Sequence, residues 1–364
     1  MSPQPGGSAS PSTSGDVGAR LDLARQALLD GRYADTEQLC LRLIADCQAG
    51  GDSRGEAEAS LILGRLCGNM RRRGESIEWS RRVLELGATL GDAALNASAW
   101  AVQASALAED DRPAEAVLAV DAAMQLVSPE MPALSRRLIY TCLLLTYRAL
   151  GMYEQALAAS RQAMAVSESA ALRFWALVNH CATGLDAIDQ LSRLDDEAMH
   201  ALRAELLALE RELARLAGVL ATPFARMRYC ELAGGLLARL GRLAEARVLL
   251  DEAARGQPNA TVVARRDVQI RLAAVLQQLG EAEASRRCAE EALSLSAQIA
   301  APFSSRELLR RCELHALLGD FAQAYELSRQ HHAKTVRVLF TALNAQIADL
   351  TARVTDQAMR LEIA

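Results

Sequence analysis

The stretch RALGMYEQALAAS, residues 148–160, contains the end of an apolar helix, a glycine and the start of a second helix. Gly151 can release the chain into a tight turn, because glycine adopts left-handed backbone angles without strain. Ala156 follows five positions later and is small enough to let the second helix press against the first. The stretch therefore predicts a helix-turn-helix unit.

The same pattern recurs along the 364 residues of the chain. The further copies are LLDGRYADTEQLC at Gly31, MRRRGESIEWS at Gly74, ARLGRLAEARVLL at Gly241, QQLGEAEASRRCA at Gly280 and ALLGDFAQAYELS at Gly319. Two longer intervals divide at AEDDRPAEAVLAV, with Asp111 at the turn, and near residues 192–197, where no glycine is present. The sequence thus predicts eight units of roughly forty residues, the fifth of them long and degenerate.

No single unit of this kind can bury both of its apolar faces, so neighbouring units must stack. We therefore predict an all-α, right-handed solenoid of about eight units, with about sixteen repeat helices followed by an exit helix. The expected domains are a disordered N-terminal segment at 1–16, the repeat array at 17–330 and a C-terminal coiled-coil or signalling helix at 331–364.

The fourth unit resembles the tetratricopeptide repeat (TPR) family. The residues that carry the resemblance are Leu143, Leu144, Tyr147, Gly151, Tyr153, Ala156 and Ala163. Leu144 stands where the family has a glycine, and the units are longer than the usual length of about 34 residues. Longer units of this kind look like those of bacterial regulatory proteins. The resemblance covers residues 17–330 and implies a protein-binding solenoid.

Composition excludes several classes of protein. A net charge of −5 argues against a nucleic-acid binder, which normally has a basic face. The eight cysteines form no CxxC pair and lie in apolar helical segments, so we expect them to be buried and reduced. No apolar stretch is long enough to span a bilayer, and the N-terminus lacks the features of a signal peptide. We expect a cytoplasmic protein.

The sequence also contains no recognisable catalytic motif. HExxH, a Walker loop, GxGxxG and GxSxG are all absent. Cys181 follows His180 directly, but adjacent residues on a helix point in different directions and cannot share a proton. We predict a packed cysteine beside a hydrogen-bonded histidine, no enzyme activity, no metal and no cofactor.

The resemblance to the TPR family also implies a binding groove, because the first helix of each unit lines the concave face in that family. Counting from each turn places seven polar residues there: Asn179, Asp186, Arg228, Glu231, Asp267, Arg306 and Glu313. An asparagine amide can donate to and accept from a peptide backbone at once. We expect a protein or peptide in this groove, although a solvated surface with ordinary charge pairs explains the same residues.

The C-terminal helix has an apolar seam with a seven-residue period. Its members are Val336, Phe340, Leu343, Ile347, Leu350, Val354 and Leu361. Such a seam favours lengthwise packing on a partner helix, and we predict a parallel homodimer. The alternative is a seam that folds back on the last repeat and caps it, which would leave a monomer.

A TPR array leading into a coiled helix is similar to the N-terminal sensory region of bacterial signalling proteins. The best match is the group with a GGDEF-type diguanylate cyclase as output domain, which would act in cyclic di-GMP signalling. That motif does not occur in this chain. The alternatives are a stand-alone assembly scaffold and a peptide receptor of the Rap type, the latter less favoured because no effector bundle precedes the repeats.

Overall fold

The computed structural model describes residues 13–190, 196–256, 260–299 and 303–363, with side chains at 13–15, 190, 196 and 355–363 outside that description. Most of the predicted N-terminal segment and of the turn near residues 192–197 therefore lies outside the described residues. The helices are α1 Thr13–Leu29, α2 Tyr33–Gly50, α3 Ser53–Asn69, α4 Arg73–Leu90, α5 Ala93–Glu109, α6 Pro113–Leu126, α7 Ala133–Ala149, α8 Tyr153–Ala165, α9 Ala170–Gln190, α10 Asp196–Leu220, α11 Pro223–Arg239, α12 Leu243–Arg255, α13 Val262–Gln278, α14 Ala282–Ser296, α15 Ser305–Leu317 and α16 Phe321–Ile363.

Successive helices pack in pairs, and successive pairs pack on one another. The prediction of an all-α solenoid with eight helix-turn-helix units is confirmed. The count of helices differs from the prediction in one respect. The described residues form sixteen helices rather than sixteen plus an exit helix, because α16 runs without a break from Phe321 to Ile363. The second helix of the eighth unit and the C-terminal helix are one element.

The turn within most units is formed by a residue with left-handed backbone angles. The residues at these turns are Gly31, Arg71, Asp111, Gly151, Gly241, Gly280 and Gly319. After each of them, the next backbone N–H donates back to a carbonyl of the first helix, as from Met152 to Tyr147 at 2.8 Å. This bond satisfies a carbonyl that the helix end leaves without a partner.

The expected turn at Gly74 was wrong by three positions. Gly74 lies inside α4, and Arg71 makes the turn with a φ of 63°. The left-handed conformation favours glycine but does not require it, so the most visible glycine is not always the turn residue. With Arg71 and Asp111 in place, the first turns fall at positions 31, 71, 111 and 151, and these units are each about forty residues long.

A small residue lies five positions after each of these turns and is buried against the first helix of its unit. These residues are Thr36, Ser76, Ala116, Ala156, Ala246, Ser285 and Ala324. Two of them also bond across the pair: Ser76 Oγ donates to the Gly64 carbonyl and Ser285 Oγ to the Ala273 carbonyl, both at 2.8 Å. The small side chain therefore sets how closely the two helices of a unit approach.

The solenoid curves so far that a unit contacts the unit five positions further along the chain. Phe224 at the start of α11 packs edge-on against Tyr33 of the first unit, with ring centroids 6.5 Å apart. Its ring lies so close to Gly31 that an added Cβ there would be 2.9 Å away. In the same way α16 of the eighth unit packs on α6 of the third, where Val338 and Ala342 are buried. The first helices of all units therefore surround a common interior.

The cysteines are free, six of them buried and two half-buried. Within the described ranges, no helix combines the length and the apolar composition needed to cross a lipid bilayer.

Candidate binding channel

The interior of the superhelix contains a cavity of about 310 Å³, hereafter the channel. Each of the eight odd-numbered helices, which are the first helices of their units, contributes lining side chains. Examples in chain order are Leu28, Arg65, Val102, Arg137, Asn179, Arg228, Asp267 and Arg306. A ligand in the channel would therefore contact the whole array rather than one unit.

Five of the seven residues predicted for the groove line the channel: Asn179, Arg228, Glu231, Asp267 and Arg306. Asp186 and Glu313 do not line it but belong to the ion-pair network at its wall. Asp186 lies 3.5 Å from Arg310, whose other nitrogen donates to Glu313 at 2.7 Å. The structure thus brings the seven residues into one region, and their role in binding stays a prediction.

The carboxylates of this wall are buried and held by several arginines. Asp186 lies 3.9 Å from Arg148 and 3.6 Å from Arg306. Asp267 receives a 2.6 Å bond from Arg266 and lies 3.7 Å from Arg306. Burial alone raises the pKa of each carboxyl, but the surrounding guanidinium groups outweigh it and hold both pKa values below the ordinary range. Both groups are therefore charged at neutral pH.

Arg228 and Glu231 face the channel as an ion pair on one turn of α11. Arg271 approaches the same carboxylate at 3.9 Å. Asn179 on the adjacent α9 is only half-buried, and its side-chain amide forms no hydrogen bond with the described residues. This amide can therefore bond to a ligand without first breaking a contact within the protein.

Arginine dominates the charge of the channel. Among the lining residues, eight arginines stand against three carboxylates: Arg65, Arg71, Arg73, Arg137, Arg148, Arg228, Arg271 and Arg306 against Glu109, Glu231 and Asp267. The groove prediction named only two of these arginines. The available signal was an arginine at each end of the apolar run of a first helix, as in RLIYTCLLLTYRA of α7, where Arg137 precedes the run and Arg148 follows it.

His180 is fully buried, as expected for a structural residue. Its Nδ1 lies 2.7 Å from Ser160 Oγ and its Nε2 lies 3.2 Å from Glu205. Burial lowers the pKa of His180 to about 4, so the ring is neutral at physiological pH. Cys181 is buried beside it, and burial raises the pKa of its thiol to about 12. Among the described side chains, no group of three or more His, Cys, Asp or Glu residues has the geometry of a metal site.

The apolar seam of the C-terminal helix is exposed along its described length. Phe340 and Val354 are each 66% exposed, and Ile347 is 60% exposed. Val336, Leu343 and Leu350 are exposed as well, and the Leu361 side chain lies outside the described residues. Because α6 packs on a different face, through Val338 and Ala342, the described part of the seam is not covered by other described residues of the chain.

Comparison with known proteins shows the fold and nothing finer. No family model matches the chain, and no curated protein matches it. A crystal structure of a Rap protein complexed with competence and sporulation factor matches over 90% of this chain and 99% of its own, with a TM-score of 0.51 and 12% identity. The P58(IPK) TPR domain matches 92% and 99% of the two chains with a TM-score of 0.26 and 16% identity. Yeast Tom70 matches 95% and 92% with a TM-score of 0.28 and 12% identity. The similarity to Rap supports a TPR-like solenoid.

Proposed function

We propose that this chain is a non-catalytic binding module that holds a peptide segment of a partner in its channel. The observation that carries the proposal is a single channel lined by the first helices of all eight units. A peptide backbone offers donors and acceptors along its length, and the unbonded amide of Asn179 can meet both kinds of group. The apolar lining near it, from Trp175, Val178 and Phe224, suits side chains of the same peptide.

The solved structure of similar fold supports this choice of ligand. The Rap protein was crystallised with competence and sporulation factor, and its similarity extends over nearly its whole length. A receptor of that type is therefore compatible with the proposal. A plain assembly scaffold predicts a different result, because its channel would stay empty.

The test is a selection from a random peptide library on the immobilised chain. Binding is then measured for the selected peptides with two matched variants. Ala264→Phe places a large ring in the channel, and Ala244→Phe makes the same change at an exposed position of α12. We expect Ala264→Phe to weaken binding by at least about tenfold, which corresponds to about 1.4 kcal/mol, and Ala244→Phe to have no effect. Equal binding by both variants would contradict the channel as the site.

The exposed seam of α16 favours a second function, homodimerisation. Burying a large apolar side chain contributes roughly 1.5–3 kcal/mol, and the seam presents six such side chains in the described part of α16, so a parallel pair of helices can offset the cost of association. Light scattering on the chain and on an Ile347→Asp, Leu350→Asp variant tests this. We expect a dimer for the first and a monomer for the second, and a monomeric wild type at high concentration would contradict it.

The proposed dimer and the channel together support a sensory role in which this chain controls an output domain. In that role, ligand binding in the channel would change the geometry of the paired helices. The identity of the output domain as a diguanylate cyclase stays a sequence-based prediction, and the comparisons with known proteins do not support it. The cytoplasmic location also stays a sequence-based prediction. Fusing the chain to such a domain and measuring cyclic di-GMP with and without a selected peptide is the test. An unchanged rate would refute the role.

A further inference from the structure

Arg137 on α7 is 3% exposed, less than any other described arginine that lines the channel. A buried arginine requires an ion-pair partner, and the described residues supply none to Arg137. Its side chain lines the channel, and its Nε has no hydrogen-bond partner among the described residues. No carboxylate of the described residues lies within the ion-pair distance of 4.0 Å from its guanidinium. A buried charge in a folded protein is normally paired, because removing an ion from water costs several kcal/mol.

Two further groups beside Arg137, the half-buried Arg65 and the buried Thr141, also lack a partner among the described residues. Arg65 on α3 lines the channel and likewise has no carboxylate within 4.0 Å in the part of the chain that is described. Thr141 lies one turn after Arg137 on α7, is 8% exposed, and its Oγ1 is buried without a hydrogen bond. Three donors therefore converge on one part of the channel with no acceptor from the described residues.

Other arginines that line the channel do have carboxylate partners, so among the described residues the lack of a partner is particular to Arg65 and Arg137. Arg71 pairs with Glu109, and Arg228 pairs with Glu231. Arg148, Arg271 and Arg306 each have a carboxylate within 4.0 Å. Among the described lining residues, the arginines without a carboxylate within 4.0 Å are thus Arg65 on α3 and Arg137 on α7. The carboxylate of Glu109, on α5 between these two helices, is held by Arg71.

The charge of this pair persists at neutral pH. Burial and the neighbouring guanidinium of Arg65 lower the pKa of Arg137 to about 10, which still leaves the group protonated. Burial also lowers the pKa of Arg65. A guanidinium offers two parallel N–H donors that match the two oxygens of a carboxylate. The missing acceptor is therefore an oxyanion.

We propose that Arg65, Arg137 and Thr141 form a subsite for a carboxylate of an acidic peptide bound in the channel. The proposal rests on the proposed function and deepens it, because it assigns a chemical class to the ligand. It places the acidic group at the α3–α7 wall, while the backbone of the same peptide reaches Asn179.

The first test uses the peptide library described above. We expect Asp and Glu to be enriched among peptides selected by the wild-type chain, and Arg65→Gln and Arg137→Gln each to lose at least about tenfold in affinity for them. The exposed Arg286→Gln is the control. Selected peptides without acidic enrichment, or binding by both channel variants within about twofold of the wild type, would overturn the subsite and leave the channel function intact. If no peptide is selected, both fail.

The second test separates a ligand site from a structural role and needs no peptide. Arg137→Met removes an unpaired buried charge, so we expect the Tm of the ligand-free chain to rise by about 2 °C or more. Sodium sulfate at constant ionic strength should raise the Tm of the wild type more than that of Arg137→Met, and the comparison between the two proteins removes the general effect of the salt. A Tm that falls on substitution, with an equal response to sulfate, would show a structural arginine and refute the proposal.

Discussion

Arg337 on the last helix donates to Asp111 at the turn of the third unit at 2.6 Å, although 226 residues separate them in the chain. Lys334 lies 3.2 Å from the same carboxylate, and Arg353 lies 3.5 Å from Asp121 further along α6. These pairs flank the apolar contact of Val338 and Ala342 with the third unit. The last helix therefore has two distinct faces. The face with Val338 and Ala342 packs on the third unit and closes the superhelix, and the face with the apolar seam is exposed.

This division of faces predicts opposite effects for one substitution made on each face. Ala342 is fully buried against the third unit, so Ala342→Asp should lower the free energy of unfolding by about 2–4 kcal/mol. Ile347→Asp, on the exposed seam, should leave the stability of the monomer unchanged within about 0.5 kcal/mol. Urea unfolding at low protein concentration measures both. Equal effects would mean that the closing contact is not made in solution.

The buried Arg266 predicts a large loss of stability on substitution. It is 2% exposed, bonds to Asp267 at 2.6 Å and pairs with Glu307. Arg266→Met leaves two buried carboxylates without their shortest contact, and removing one partner of a buried pair costs about 3–5 kcal/mol. Arg286→Met, where an exposed arginine pairs with Glu290 at 3.1 Å, is the matched control and should change stability by less than about 0.5 kcal/mol. Chemical denaturation of both variants decides the outcome.

Left-handed backbone angles predict a reciprocal pair of substitutions. Ala221 is exposed and has a φ of 50°, so Ala221→Gly should relieve strain and raise the free energy of unfolding by about 0.5–1 kcal/mol. Gly241 has a φ of 75° with open space around an added Cβ, so Gly241→Ala should lower it by about 1 kcal/mol through the backbone alone. Thermal unfolding of the two variants should shift in opposite directions, and shifts of the same sign would contradict the assigned angles.

The repeat could be predicted from the sequence because its determinants are local. A turn residue and a small residue five positions later act within one unit, and both are visible as letters. The turn at Arg71 was missed because an arginine can take the left-handed conformation at a modest cost that leaves no mark in the sequence.

The closure of the superhelix and the channel could not be predicted in the same way. Closure depends on the rotation between successive units, a small angle that accumulates over five units before Phe224 reaches Tyr33. The same accumulation brings Arg65 and Arg137, from different units, to one part of the channel, where no described carboxylate lies within 4.0 Å of either guanidinium. The sequence places single residues on the inner face, but it does not indicate which charged side chains find partners there.

The neutral, buried His180 predicts a specific dependence of stability on pH. Its pKa is about 4 in the folded chain against 6.5 for an ordinary histidine, so between these values the unfolded chain binds a proton that the folded chain does not. The free energy of unfolding should therefore fall as pH decreases from 6.5 to 4, and the loss due to His180 between pH 7 and pH 5 is about 2 kcal/mol. Burial also lowers the pKa of His331, which contributes in the same direction. The carboxyl of Glu205, beside His180, has a lowered pKa through its hydrogen bond with Arg161, so its contribution to stability is lost only at more acidic pH.

His180→Gln should reduce the difference in stability between pH 7 and pH 5 by about 2 kcal/mol, and His200→Gln, at an exposed position, should leave it unchanged. Urea unfolding at the two pH values measures this. An unchanged difference for His180→Gln would show that the ring takes up its proton at the same pH in the folded and the unfolded chain, and would contradict the lowered pKa.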